Sequence, residues 1–306
     1  MEFLYMLEGI RMPILNEFML LITRLGEETA FLVMALIVFW CVDKRRGYLL
    51  MSVGFLGTMA NQFMKLWFRI PRPWVLDENF TILEQAREAA AGYSFPSGHT
   101  TSAVGTFGSI AATSRRKGTV ALCVVLAVLV GFSRMYIGVH TPADVAVGAM
   151  SSLILIFALR KAVLSNRGMR VIIGIMLAMA LGLLAFVTQY PFPADVDAHN
   201  LQSGVKNAYT MVGCMAGVAV VYHVEKKYIN FTTLAVWWAQ ILKVVLGLAL
   251  VLAVKEGLRT PLEALFGNPY PARMVRYFLI VVAAGVIWPM SFRFFYRMGR
   301  HVEVKK

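Results

Sequence analysis

Short basic loops cut this chain into apolar runs that approach the ~20 residues a helix needs to cross a bilayer. No other feature narrows its fold so much. Only 15% of the 306 residues are charged, where a soluble domain carries about a quarter. The runs read as spans over 26–42, 48–65, 97–113, 119–133, 141–159, 170–188, 205–223, 231–254 and 274–292. The expected fold is all-α, a polytopic membrane helix bundle with about nine transmembrane spans. The absence of a Pro/Gly/Ser-rich linker predicts one bundle rather than two domains.

A net charge of +13 invites a nucleic-acid reading, but the placement of the charges argues against one. The basic clusters sit in short loops between apolar runs: 44–46, 115–117, Arg160 and Lys161 with Arg167 and Arg170, 226–227, and a tail with Arg293, Arg297, Arg300, Lys305 and Lys306. Short loops rich in Lys and Arg stay in the cytoplasm and meet anionic membrane lipid there. Threading the spans puts 17 of the 30 basic residues in those loops and 12 on the other side, with Lys243 mid-span. Among the acids, only Asp43, Glu225 and Glu303 fall on the basic side. The expected topology is N-terminus outside and C-terminus cytoplasmic, in a multi-pass protein of the plasma membrane.

Cys41, Cys123 and Cys214 have no paired spacing and read as small buried hydrophobes. The opening MEFLYMLEGIR carries acids where a signal peptide carries bases, so no cleaved targeting segment is expected. Residues 1–24, broken at Pro13, read as an amphipathic segment along the interface. The 97–113 run is rich in Gly, Ala, Ser and Thr and suits the centre of a bundle, because small residues let helices approach. The 119–133 run is uniformly apolar and suits lipid.

Three polar clusters interrupt this pattern, all on the outer face. They are KLWFRIPRP with Lys65 and Arg72, FPSGHT at 95–100, and SRMYIGVHTPAD at 133–144. Singly, each has an ordinary explanation. Lys65 and Arg72 can snorkel to the interface, Ser97 can cap a helix, and Thr141, Pro142 and Asp144 fit a helix start. Together, they bring Lys65, Arg72, Arg134, His99, His140 and two helix N-termini to one face. Helix N-termini suit phosphate, Arg binds its oxygens bidentately and Lys adds a point charge. The set suits a tetrahedral dianion.

K-x6-R-P, P-S-G-H and S-R-x5-H-x3-D resemble the three signature motifs of the type 2 phosphatidic acid phosphatase superfamily. That superfamily includes lipid phosphate phosphatases, glucose-6-phosphatase and the vanadium haloperoxidases. Every signature position is filled, in order, by Lys65, Arg72, Pro73, Pro96, Ser97, Gly98, His99, Ser133, Arg134, His140 and Asp144. The resemblance implies a six-helix phosphatase core over 25–190, with the spans of 191–306 as a C-terminal addition. A nine-span count is similar to that of glucose-6-phosphatase. It further implies that His140 attacks phosphorus to give a phosphohistidine, and that Asp144 orients the ring. His99 would protonate the leaving alkoxide and then activate water. Lys65, Arg72, Arg134, Ser97 and the Gly98 N–H would hold the phosphate oxygens, with no metal and no cofactor.

The substrate implied is a lipid phosphate or diphosphate: polyprenyl diphosphate, phosphatidate, phosphatidylglycerol phosphate or a sphingoid-base phosphate. In a bacterial host, polyprenyl diphosphate recycling is needed on this face. A soluble sugar phosphate, or transfer of the phosphoryl group to another lipid, are the alternatives. A transporter accounts for nine spans and Lys243, but not for an acid, a nucleophile and an orienting carboxylate together.

Weaker signals remain. ILEQAREAAA (82–91) is helix-prone and reads either as a helix over the site mouth or as a solvated loop helix. Thr58 and Asn61 share a helical face with Lys65 and suit orienting it or bonding a neighbouring helix. Lys243, with Gln240 one turn before it, either pairs inside the bundle or lines a path. Asp195, Asp197 and His199 alternate along a loop, a spacing that seldom converges on a metal.

Overall fold

In the computed structural model, which describes residues 1–87, 90 and 92–298, the chain is helical, with no strand among the described residues. Arg300, Glu303, Lys305 and Lys306 of the basic tail lie outside them, as do Glu88, Ala89 and Ala91 of the helix-prone loop. The helices are α1 (Glu2–Gly9), α2 (Pro13–Thr23), α3 (Glu28–Ile37, continuing to Val42), α4 (Lys44–Phe68), α5 (Pro73–Leu76) and α6 (Gly98–Ala103). A π-turn joins α6 to α7 (Ser109–Thr113), and α8 (Lys117–Tyr136), α9 (Pro142–Ala162), α10 (Asn166–Gln189) and α11 (Ala198–Val224) follow. The chain then forms α12 (Trp237–Gly257), α13 (Arg259–Phe266), α14 (Pro269–Val282), α15 (Trp288–Met290) and α16 (Phe292–Arg297).

Each of the nine expected spans overlaps helix; among the described residues, six helices are long and apolar enough to cross a membrane: Lys117–Tyr136, Pro142–Ala162, Asn166–Gln189, Ala198–Ile229, Trp237–Phe266 and Pro269–Arg297. A seventh arises if α2 and α3, bent by 53°, form one span. Helix α4 has the length, yet its three leading bases and its Ser52, Thr58, Asn61, Gln62 and Lys65 dilute its apolar character. The α6–α7 stretch is short and dominated by small residues.

The described residues cluster into two compact units: 1–34 with 49–166 and 190–204, and 35–48 with 167–189 and 205–298. Most boundaries fall inside helices, which is why no linker marks them. All three motifs belong to the first unit. There α6 lies at the centre, buried from Thr100 onward, whereas α8 turns Leu122, Val124, Val125 and Val128 outward. Close packing of α6 on α9 depends on Gly148, where a Cβ would stand 2.7 Å from the Ser97 carbonyl oxygen. Ser152 Oγ then donates to the Thr101 carbonyl at 2.7 Å.

Helices α1 and α2 are packed rather than peripheral. They bury Leu4, Leu7, Met19 and Ile22, each such side chain contributing about 1.5–3 kcal/mol. Arg11 Nε donates to the Tyr136 carbonyl at 3.0 Å, and its NH1 to the Thr81 carbonyl at 3.0 Å. Among the described residues of the helix-prone loop, Glu84–Ala86 form a 3-10 turn. Tertiary packing overrides propensity here, because Ala86 and Ala90 bury against Tyr136, Ile137 and Val139 and Leu83 N–H donates to the Ile137 carbonyl at 3.2 Å.

In the second unit Lys243 is fully buried. Its ammonium donates to the Thr233 carbonyl at 3.2 Å and stands 4.5 Å from the centre of the Phe292 ring. This favours the internal-pairing reading of that lysine. Gln240 Nε2 shares the same carbonyl at 2.7 Å. Trp40 Nε1 donates to the Ala284 carbonyl at 2.9 Å, and Lys44 pairs with Glu225 at 2.6 Å.

Candidate active site

The first motif leaves the end of α4 and crosses to α5. Lys65 Nζ donates to the Tyr93 carbonyl at 2.5 Å. Arg72 is buried and reaches three groups: Nε donates to the Gly92 carbonyl at 2.9 Å, and NH1 to the Val139 carbonyl at 2.8 Å and to His140 Nε2 at 3.0 Å. Motif one is thereby tied through main-chain oxygens to the residues before motif two and to motif three. Burial lowers the Arg72 guanidinium to about 10, against the pull of the Asp144 carboxylate, so it remains a cation at neutral pH.

The third motif shows why HTPAD reads both as a helix start and as a site. Thr141 caps α9, accepting from the Asp144 N–H at 3.3 Å, while Asp144 Oδ2 accepts from the Thr141 N–H at 2.7 Å, a reciprocal capping box. Curling back over the helix start, the same oxygen comes 3.4 Å from His140 Nδ1. Ser94 Oγ donates to it at 2.5 Å and lies 3.4 Å from Nδ1. Gly138, at φ +87°, makes the turn that delivers His140; a side chain there would be strained and would meet the Arg11 guanidinium.

These contacts fix the state of His140. A guanidinium N–H can only donate, so Nε2 must accept from Arg72 and the ring proton must sit on Nδ1, facing Asp144 and Ser94. Burial, and then the positive field of Arg72, Arg134 and Lys65, holds this imidazole well below the usual histidine range. It is neutral, with its lone pair on Nε2.

Arg134 is buried at the end of α8. Its NH1 donates to Thr23 Oγ1 at 2.7 Å, and its Nε is buried without a partner among the described residues. Ser97 caps α6, accepting from the Thr100 N–H at 3.4 Å and its hydroxyl at 2.9 Å, while its own N–H donates to the Asp144 carbonyl at 3.0 Å. Asn61 donates to the Pro96 carbonyl at 3.2 Å and to Thr101 Oγ1 at 3.4 Å, the neighbouring-helix role. His99 and Gly98, in the first turn of α6, line a cavity together with Lys65. No group of three or more metal-ligating side chains gathers among the described residues. Asp197 caps the start of α11, accepting from the Asn200 N–H at 2.7 Å.

Comparison with known proteins meets this geometry where the motifs lie. The family model described as PAP2 superfamily matches residues 46–168, and one described as PAP2 superfamily phosphatase, transmembrane extension, matches 209–300. The chain is 32% identical over 164 residues to phosphatidylglycerophosphatase B of Bacillus subtilis, covering 49% of this chain and 76% of that one. This chain belongs to the PAP2 superfamily. It is a multi-pass membrane phosphatase, a hydrolase of phosphate esters or diphosphates. It is also 32% identical over 134 residues to undecaprenyl-diphosphatase BcrC of the same species, 43% of this chain and 66% of that one. No solved structure matches it.

Two contacts of this PAP2 phosphatase carry no signal in the sequence. Ser94 lies outside all three motifs yet bonds the carboxylate of the third. Thr23, at the end of what reads as an interfacial segment, supplies the side-chain acceptor for Arg134. A hydrogen bond to a charged group contributes about 1.5–3 kcal/mol, and removing this one leaves a second buried guanidinium N–H unmatched. Thr23→Val is therefore expected to lower kcat/KM about tenfold or more and to weaken inhibition by inorganic phosphate in parallel, with Thr23→Ser restoring both. A Val variant that binds phosphate as wild type does would show that Thr23 does not position Arg134.

Proposed function

We propose that this phosphatase hydrolyses a lipid phosphate or diphosphate through a covalent phosphohistidine, with the site at the outer leaflet. The observation that carries the reading is the buried His140 ring held between the Arg72 guanidinium, 3.0 Å from Nε2, and the Asp144 carboxylate, 3.4 Å from Nδ1. In the proposed reaction, Nε2 attacks phosphorus while Lys65, Arg72, Arg134, Ser97 and the Gly98 N–H hold the non-bridging oxygens. The bond to the leaving oxygen breaks, and His99 gives that oxygen its proton. Asp144 steadies the ring as it becomes cationic. Water, deprotonated by His99, then attacks phosphorus and breaks the P–N bond, returning free phosphate and a neutral ring.

The lipid substrate is supported by the two relatives, whose names specify a phosphatidylglycerophosphate and an undecaprenyl diphosphate, and by a site built at the ends of apolar helices. The charge asymmetry of the loops supports a topology with the site outside the cytoplasm, N-terminus outside and C-terminus inside, in the plasma membrane. Nine spans satisfy that alternation if α3, α4 and α6–α7 cross with the six apolar helices. Buried among protein, the polar residues of α4 and α6 need not meet lipid. In this reading 25–190 form the phosphatase core and 191–306 its extension.

Phosphate release by the purified protein, across lipid and soluble phosphates with EDTA present, tests the reading. Lipid phosphates should be turned over and soluble sugar phosphates not. Loss of activity in EDTA, or preference for the soluble esters, would overturn it. The pH profile adds a sign check. His140 must be neutral to attack and is held below its ordinary value of about 6.5, so the acid limb of kcat/KM that belongs to it should fall below that value, once the ionisation of the substrate is allowed for. A His140-dependent limb at pH 7 or above would contradict the assignment.

A further inference from the structure

Two arginines of α14, inside the stretch that matches a transmembrane extension, carry charge that no acid answers. Arg276 is only 7% exposed, and its Nε is buried with no hydrogen-bond partner among the described residues. Arg273 stands one turn before it, and its Nε donates to Thr210 Oγ1 at 2.7 Å. Both guanidiniums gather at the Tyr277 ring, 5.1 Å and 5.7 Å from its centre. The described acids of this unit are engaged elsewhere. Glu225 pairs with Lys44, Glu256 with Lys255 and Glu263 with Arg259, while Asp43 accepts from the Arg46 N–H.

Residues three apart on a helix lie side by side, where like charges destabilise one another. A buried cation without a partner is costly in a membrane protein and by default marks function. An anion shared by the two arginines offsets both costs. The frame that would receive it is tight: at Gly213, on α11 one turn beyond Thr210, a Cβ would stand 2.1 Å from the Met274 carbonyl oxygen. Thr210, held against Arg273 by this approach, donates its own proton to the Lys206 carbonyl at 2.9 Å. Its lone pair therefore serves Arg273 Nε, and the terminal nitrogens of that guanidinium have no hydrogen bond among the described residues.

Depth indicates where the anion comes from. Arg273 and Arg276 lie about 6 Å and about 10 Å along the axis from Pro269 at 1.5 Å per residue, and the head-group zone of a bilayer is roughly 5–8 Å deep on each side. Tyr209 and Tyr270 stack with ring centres 5.5 Å apart, next to Thr210 and one turn before Arg273, and tyrosines gather at the head-group level. Arginine forks match phosphate oxygens. We propose that Arg273 and Arg276 form a second phosphate site, built from none of the motif residues, which holds the phosphate of an anionic phospholipid. No histidine contacts the pair among the described residues, so the group is held and not cut. With no carboxylate to meet an ammonium, the site favours a head group of net negative charge over a zwitterionic one.

The test is thermal unfolding of the delipidated full chain in detergent, titrated with dioctanoyl phosphatidylglycerol, dioctanoyl phosphatidylcholine or inorganic phosphate. Phosphatidylglycerol should raise the wild-type Tm saturably, and phosphatidylcholine should act at least tenfold more weakly. Arg276→Gln and Arg273→Gln should each weaken the phosphatidylglycerol response at least tenfold. Lys255→Gln, which removes an exposed base of the same unit, should leave it unchanged. Without lipid, Arg276→Gln should melt no lower than wild type, because it deletes a buried charge that nothing pairs. Arg276→Lys keeps the charge and loses the fork; it should also bind at least tenfold more weakly, and it replaces the Gln variant if that variant does not fold. A response to inorganic phosphate that matches the lipid's and depends on both arginines would overturn the lipid as the source and keep the phosphate site. A phosphatidylglycerol response equal in wild type and the arginine variants, or a lower lipid-free Tm in Arg276→Gln, would overturn the site. Neither result touches the phosphatase reading, which rests on other residues.

Discussion

His140→Ala releases phosphate from lipid phosphates about 10⁴–10⁶-fold more slowly than the wild-type chain, the loss expected when a nucleophile is deleted from a covalent hydrolase. The expectation follows from hydrogen bonding. Arg72 NH1 donates to Nε2 at 3.0 Å, and so fixes the proton on Nδ1, where Asp144 Oδ2 at 3.4 Å and Ser94 Oγ at 3.4 Å can take it. The imidazole is thus held in the one tautomer whose lone pair faces a guanidinium, the group that would bind a phosphoryl oxygen. Trapping with labelled substrate checks the mechanism directly. Wild type quenched in alkaline detergent should carry base-stable, acid-labile label, and His140→Ala should carry none. Wild-type rates in the variant would remove His140 from the reaction.

The second large effect belongs to Arg72→Lys. Arg72 makes three bonds in three directions, to the Gly92 carbonyl, the Val139 carbonyl and His140, and a planar fork is needed to reach all of them. A lysine keeps the charge and loses the geometry. Removing one preorganised donor to a developing oxyanion costs about 10²–10³-fold in rate, and Arg72→Lys should lose at least that in kcat. Each buried carbonyl left without a donor also costs about 1–3 kcal/mol, so the variant should melt at lower temperature in detergent. If Arg72→Lys kept wild-type kcat and stability, the fork would be dispensable and the site would need only charge.

Much of this arrangement is legible in the residues. Apolar runs between basic loops locate every long helix, because the length of a bilayer leaves few other readings. The capping residues Thr141, Pro142 and Asp144 mark the start of α9 to the residue. Illegible parts have identifiable causes. Lys65 and Arg72 bond to main-chain oxygens of Gly92, Tyr93 and Val139, and a carbonyl carries no sequence signature. Thr23 and Ser94 are short hydroxyl residues, of a type common in loops and caps. The span count differs at α3, which is bent by 53° against α2, at α4, whose bases and polar side chains dilute its apolar character, and at α6–α7, which is short and built of small residues. Within ILEQAREAAA the described residues include a 3-10 turn at Glu84–Ala86, and Ala86 and Ala90 pack on Tyr136, Ile137 and Val139, long-range partners that helix propensity does not reveal.

The contact between Arg72 and His140 has a consequence for how the site waits. Until an anion arrives, the ring's electron pair is occupied by the guanidinium, and uncharged electrophiles dissolved in the membrane meet a nitrogen with nothing to offer. In the proposed reaction a phosphate draws Arg72 onto its own oxygens and uncovers the pair as it docks, so the molecule to be cut is also what arms the blade.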